Sequence, residues 1–317
     1  MLVYSSLDQI PADAFAGGTA IAIGKFDGVH RGHRALLSGI AEVAGQRGLD
    51  PLVFTFENNP LSFLRPEACP PQIMSRGQRL DALEAEGVTT CVMLPFDADL
   101  AAVPAEEFVE RVLVELLHVR HLCVGADFRF GHRGAGDVRL LAAMGERLGF
   151  AVDVIDNVED EELGRVSSSR VREAILQGDV ETAARMMDRP VAVRGTVVRG
   201  DARGRDLGFP TANLGAGEGG EVEGLVPADG VYAGWAMVRG VRYQAAISVG
   251  VNLTFEPEGA PRVEAYLLDF EGDLYGERIE ILFAERLRGM VAFPGVDALV
   301  ERMHEDVRLT RGVLLGR

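Results

Sequence analysis

The chain has 317 residues, with 32 Lys and Arg against 48 Asp and Glu, a formal net charge of −16, 47% hydrophobic residues and 25% charged ones. That length fits two domains better than one, and that balance fits a packed core rather than a disordered chain. An acidic surface excludes sequence-independent nucleic-acid binding, which needs clustered Lys and Arg, and no apolar run nears the ~20 residues that span a bilayer. The opening Met1–Ser6 has no basic stretch ahead of an apolar core, so no secretory signal is read there. The three cysteines, Cys69, Cys91 and Cys123, form no CxxC pair. Their odd number points to a reducing cytoplasm, and Cys91 and Cys123 sit in apolar runs as buried thiols.

The first half alternates strand and helix. Apolar runs at Ala20–Ile23, Leu52–Phe56, Thr90–Leu94, Leu122–Gly125 and Val152–Ile155 read as strands. Helical patterns at His33–Ala44, Gln78–Glu86, Ala105–Leu117 and Val138–Leu148 fall between them. Such βαβ units predict a Rossmann-like parallel sheet that binds ligands beyond the carboxyl ends of its strands. A helical pair follows at Ser169–Gln177 and Val180–Met187, and the character of the chain changes near Asp188. Two domains are therefore expected, residues 1–187 and 188–317. From Val191 on, strand patterns at Val191–Val198, Val231–Val238, Val241–Val249, Arg262–Phe270 and Arg278–Phe283 predict a small antiparallel β-barrel. Val296–Arg308 reads as a closing helix, and the Gly- and Glu-rich Leu214–Val226 as a mobile loop.

The first strand runs into Gly24-Lys25-Phe26-Asp27-Gly28-Val29-His30-Arg31-Gly32-His33. Small residues let backbone approach a ligand, and a helix starting there offers free N–H groups to phosphate. His30 and His33, three apart, share a helix face and suit the charge that develops when an α-phosphate is attacked. Taken alone, this spacing also fits a helix cap or a metal pair. Ser167-Ser168-Ser169-Arg170-Val171-Arg172 opens a later helix, where serines cap and arginines reach phosphate. Gly125–Gly131 follows the fourth strand and, alone, is a plain strand-to-helix turn.

In the second half, Arg199–Leu214 mixes glycines with basic residues but has no P-loop pattern. Thr211 and Asn213 carry hard oxygen ligands of the kind Mg2+ prefers. Glu264 shares a strand face with Tyr266 and Leu268, as a candidate general base or a solvated strand residue. Arg286 and Arg288 precede the last helix, either to close over a ligand or as surface charge.

These motifs, in this order, resemble those of bacterial bifunctional riboflavin kinase/FMN adenylyltransferases over residues 15–310. His30-Arg31-Gly32-His33 resembles the H-x-G-H of nucleotidyltransferases, the serine run their second phosphate-binding element, and Gly125–Gly131 the family's G-x-D-F-x-F-G. The resemblance makes His30 and His33 catalytic. It gives Gly24, Phe26, Asp27, Gly32, Asn59, Ser168, Ser169 and Arg170 to ATP, and Asp127, Phe128 and Phe130 to flavin. Gly204–Asn213 resembles the riboflavin-kinase signature, which implies ATP contacts at Gly204, Gly208, Pro210, Thr211 and Asn213, with Mg2+ at the last two. Val263-Glu264 with Asp269-Phe270 follows the pattern that makes Glu264 the base. Arg288 is expected as a flavin contact from its place before the last helix, with surface charge as the alternative. Asp229–Ala233 matches the family's D-G-V-Y-A. Two departures stand out: Asn59 where the family commonly has His in T-F-x-P-H-P, and Leu253 where it has Pro in G-x-N-P-T-F.

The implied chemistry is riboflavin plus ATP to FMN, then FMN plus ATP to FAD and pyrophosphate, in the cytoplasm, without nucleic acid or membrane. A homo-oligomer is compatible with it. Three rivals stand beside it: a kinase with a decayed first half, a different nucleotidyltransferase, and a flavin sensor with vestigial sites.

Overall fold

The computed structural model describes residues 1–199, 207–215, 222–250 and 262–316. Gly204 and Leu253, with the residues around them, lie outside the described residues. The chain divides into two compact units, Met1–Gln72 with Arg76–Ser167 and Ile73–Ser75 with Ser168–Arg317.

The first unit is built on six parallel strands: β1 (Leu2–Tyr4), β2 (Thr19–Ile23), β3 (Asp50–Phe56), β4 (Thr90–Leu94), β5 (Val119–Gly125) and β6 (Ala151–Ile155), in the order β1-β4-β3-β2-β5-β6. Every residue of β2 is buried, as expected of a central strand covered on both faces. Alternation sorts the two faces. Ile21, Ile23, Leu52, Phe54, Leu122 and Val124 form one core with Phe108, Val109, Val112 and Leu113, and with Leu141 and Met144 of the helix Val138–Leu148. On the other face Cys123 lies against Gly39 of helix α1 (Arg31–Arg47), where a Cβ would stand 3.6 Å from its sulfur. The segment predicted as one α-helix over Ala105–Leu117 is a short turn, Ala105–Glu107, that widens into a π-helix over Phe108–Leu116. The chain order reverses between β2 and β5, and sheets of this kind bind ligands at the carboxyl ends of the strands at such a switch point.

The second unit starts with the helices Ser168–Gln177 and Val180–Met187. After the two-residue strands β7 (Glu159–Asp160) and β8 (Gly164–Arg165) of the first unit, the remaining strands close a barrel. They are β9 (Val191–Val198), β10 (Ala212–Leu214), β11 (Gly230–Val238), β12 (Val241–Gly250), β13 (Arg262–Leu267) and β14 (Arg278–Arg288), in the order β10-β13-β12-β11-β14-β9, all antiparallel. Val193, Val197, Ala265, Ile247 and Ile281 are fully or nearly fully buried. The last helix, α2 (Val296–Leu314), runs past the expected Arg308 and packs Leu314 on Ala233, Trp235 and Ala284. The segment read as a mobile loop is anchored where it is described. Glu223 pairs with Arg194, and Leu225 is buried with its N–H on Ile73 O at 3.0 Å.

Candidate active sites

In the first unit, β2 ends at Ile23 and α1 starts at Arg31, and the intervening turn is unusually bent. Phe26, Gly28 and Val29 all have positive φ, at 51°, 86° and 38°. For Phe and the β-branched Val this is a costly conformation, kept only where surroundings enforce it. Phe26 is wholly buried and stands 5.0 Å from the His33 ring, so it forms the floor of the turn. Gly24 leaves room beside it, since a Cβ there would stand 3.2 Å from the Phe26 ring, a tight contact.

His30 and His33 stack, with ring centroids 3.8 Å apart and planes 19° from parallel. Gly32 makes room for this, since a Cβ would stand 3.1 Å from His30 Cε1. His30 is the N-cap residue of α1, yet its side chain caps nothing, and its Nδ1 is buried without a partner among the described residues. Burial pushes its pKa down to about 4, so the ring is neutral at neutral pH. The first turn of α1 carries no acidic side chain. Helix N–H groups, a neutral imidazole and a second ring stacked on it form a setting suited to an anion.

Asn59 caps the short helix Pro60–Leu64, its Oδ1 accepting from Leu61 N–H at 3.1 Å. Asn is among the best residues for that position, which gives a physical reason for it here. Its NH2 remains the group suited to a phosphate. Across the switch point, the loop after β5 has Phe128 stacked on Phe130 at 5.6 Å. Phe130 is itself a core residue, and Asp127 is exposed and paired with Arg165 at 3.1 Å. Asp27 is buried at the start of the histidine turn.

On β5 and β6, His121, Cys123 and Asp153 bring donor atoms within 4.8 Å of one another. His121 Nε2 lies 2.9 Å from Asp153 Oδ2, and burial, then Asp153, pushes the Cys123 thiol up to about 12. Among the described residues the buried Nδ1 of His121 lacks the orienting partner that ligand histidines have, so the group reads as a hydrogen-bonded pair beside an inert thiol.

In the second unit, Ser168, Ser169 and Arg170 open the helix Ser168–Gln177. The kinase-like constellation is assembled by strand register. Asn213 on β10 pairs with Glu264 on β13, and Glu264 pairs with Ser248 on β12. Directly paired residues share a face, so these three side chains form one row. Thr211 Oγ1 donates toward Glu264 Oε2 at 3.4 Å, and Asn213 Nδ2 toward Thr211 Oγ1 at 3.4 Å. Gly208, at φ 85°, turns the chain so that Phe209 buries its ring against Tyr266 and His304, at 5.2 and 4.9 Å, while Pro210 stays exposed. The row continues through Val231 on β11 to Arg288 on β14. Arg288 grips Asp306 of α2 through Nε at 3.0 Å and Nη2 at 2.6 Å, so a flavin contact by this guanidinium shares it with that pair. Arg286 is spent on backbone, bonding Gln177 O and Asp229 O at 3.3 and 2.5 Å. Sequence reasoning missed Ser248 and Asp306. The alternation of β12 places Ser248 on an outer face, but only pairing shows that it adjoins Glu264.

Comparison with known proteins matches the two parts of the chain to two families. The FAD synthetase family model matches residues 13–170, and the riboflavin kinase model residues 187–314. The bifunctional riboflavin kinase/FMN adenylyltransferase of Pseudomonas fluorescens is 37% identical over 296 residues, 93% of either chain. The protein of that name from Listeria monocytogenes is 34% identical over 294 residues, 92% of this chain and 91% of that one. A solved structure from Streptococcus pneumoniae, titled a macrolide-efflux protein, superposes with a TM-score of 0.83 at 31% identity, covering 98% of both chains. Among the described residues, no helix here is long and apolar enough to cross a membrane. The chain belongs to the family of bifunctional riboflavin kinase/FMN adenylyltransferases.

Proposed function

We propose that the second unit transfers the γ-phosphoryl group of ATP to riboflavin, and that the histidine turn of the first unit transfers AMP from a second ATP to the resulting FMN. The observation that carries this is the assembly of both signatures in space: stacked His30 and His33 at the carboxyl end of β2, and Thr211, Asn213 and Glu264 in contact across β10 and β13.

For the kinase step, Glu264 takes the proton from the terminal ribityl hydroxyl as that oxygen bonds to the γ-phosphorus and the bond to ADP breaks. The hydroxyl of Thr211 and the side-chain carbonyl of Asn213 are hard donors beside this carboxylate, which fits Mg2+. When bound there, the ion neutralises phosphate charge. Gly208 and Pro210 shape the turn that brings Thr211 to the site. Arg288, held by Asp306, is fixed in place as a donor toward flavin.

For the adenylyl step, an FMN phosphate oxygen attacks the α-phosphorus and pyrophosphate leaves. The N–H groups of the first turn of α1 and the ring N–H groups of His30 and His33 take up the charge that develops. Asn59 replaces a cationic imidazole by a neutral amide donor. Phe128 offers a ring face to flavin. The boundary between the catalytic domains lies near Asp188, and the setting is cytoplasmic.

The test is chromatographic separation of flavins after incubating the protein with riboflavin, ATP and Mg2+. FMN appearing first and FAD after it is the expected outcome. FMN alone, with no FAD even when FMN is supplied, would show the first unit to be inactive, and no new flavin would favour a sensor.

A further inference from the structure

The ends of the two central strands of the first unit are held from a single point. Arg79, on the helix Arg76–Ala85, is 3% exposed. Its Nη1 donates to Lys25 O at 3.1 Å and to Phe56 O at 2.8 Å, and its Nη2 donates to Glu57 O. Lys25 lies in the histidine turn, five residues before His30, and Glu57 lies two residues before Asn59. Thr55, fully buried, places its Oγ1 on the same Lys25 carbonyl at 3.2 Å. One planar guanidinium thus ties the turn after β2 to the segment after β3, at the carboxyl ends of these strands.

Keeping this cation dry is expensive. Burial pushes its pKa down, and Asp27 is the leading charge opposing that. Packing alone gives no reason to retain it, since apolar replacements of buried ions are often neutral or stabilising. A lysine presents one point charge, whereas the rigid fork of Arg sets several acceptors at fixed angles. We propose that Arg79 is a positioning residue for adenylyl transfer, fixing the Lys25–Asp27 turn and the Glu57–Asn59 segment in one register. The proposal rests on the assignment of the histidine turn to that reaction.

The test uses the full chain and measures both reactions in one preparation: FMN to FAD, and riboflavin to FMN as the internal control. Arg79→Lys keeps charge and loses the fork, so kcat for FAD formation falls about tenfold or more while KM for ATP stays within about threefold. Arg79→Met loses charge too, and raises KM for ATP as well. Kinase turnover is unchanged in both. If Arg79→Met fails to fold its unit, Arg79→Lys decides alone, assayed well below its melting temperature. A wild-type kcat in Arg79→Lys overturns the proposal, as does a loss of rate that appears only where the first unit begins to melt. Retention of FAD formation by His30→Ala would instead count against the histidine turn as the site.

Discussion

His30 has to be polar, buried and uncharged at once. A protonated ring there would pay the desolvation of a buried charge, and burial lowers its pKa to about 4 against a backbone hydrogen bond that raises it. In the unfolded chain the same group titrates near 6.5. Between these values the unfolded chain binds a proton that the folded one does not, so stability is full above about pH 6.5 and falls as pH drops toward 4. The shift corresponds to about 3 kcal/mol over the whole window. We expect urea unfolding of the first unit to show this loss between pH 7 and about 4.5, and His30→Asn to flatten it. Equal pH dependence in the two proteins would remove His30 as its source. The H-x-G-H pattern was legible in the sequence because its spacing is local. The neutrality of His30 was not, since it depends on the burial imposed by residues far along the chain, and the same holds for the guanidinium of Arg79.

At the scale of elements, periodicity revealed what repeats and missed what does not. The strands of the sheet and the long strands of the barrel announced themselves by apolar runs and alternation. β10 did not: Pro210-Thr211-Ala212-Asn213 has turn composition, and only its pairing with β9 and β13 makes a strand of it. The π-helix kept the apolar spacing of an α-helix, which hid the wider bonding. The barrel also contains a close backbone approach that composition cannot show. Around Gly234 the β11–β14 register shifts, and a Cβ there would stand 2.0 Å from Leu282 O and 2.7 Å from Ile247 Cδ1. Backbone cannot step aside as a flexible side chain does. Gly234→Ala should therefore destabilise the barrel by about 2–3 kcal/mol, the cost of overpacking. The readout is a lowered melting temperature for the second unit, with FAD formation from supplied FMN retained. An unchanged melting temperature would show that the strands part there without strain.

For the molecule as a whole, each unit carries its own core, and the proposed reacting groups fall one set to each unit: His30 with His33, and Thr211 with Asn213 and Glu264. The family models for the two activities also cover separate stretches, 13–170 and 187–314. In the proposed scheme the net charge of −16 is no obstacle to anionic substrates, because each set would meet phosphate locally, by helix N–H groups in one case and by hard donors suited to a cation in the other. If the sets act separately, damage to one leaves the other intact. His30→Ala with His33→Ala should lower FAD formation at least about 100-fold, as loss of charge-stabilising donors does, while FMN formation persists. Glu264→Ala should lower FMN formation about 100-fold or more, as loss of a general base does, while supplied FMN still becomes FAD. Because the intermediate is a free small molecule in this scheme, mixing the two variants should restore conversion of riboflavin to FAD at a rate set by the slower partner. Complementation that fails while each variant keeps its own reaction would mean that FMN passes between sites within one assembly. A folded variant that lost both reactions from a change in one unit would break the assignment of two independent sites.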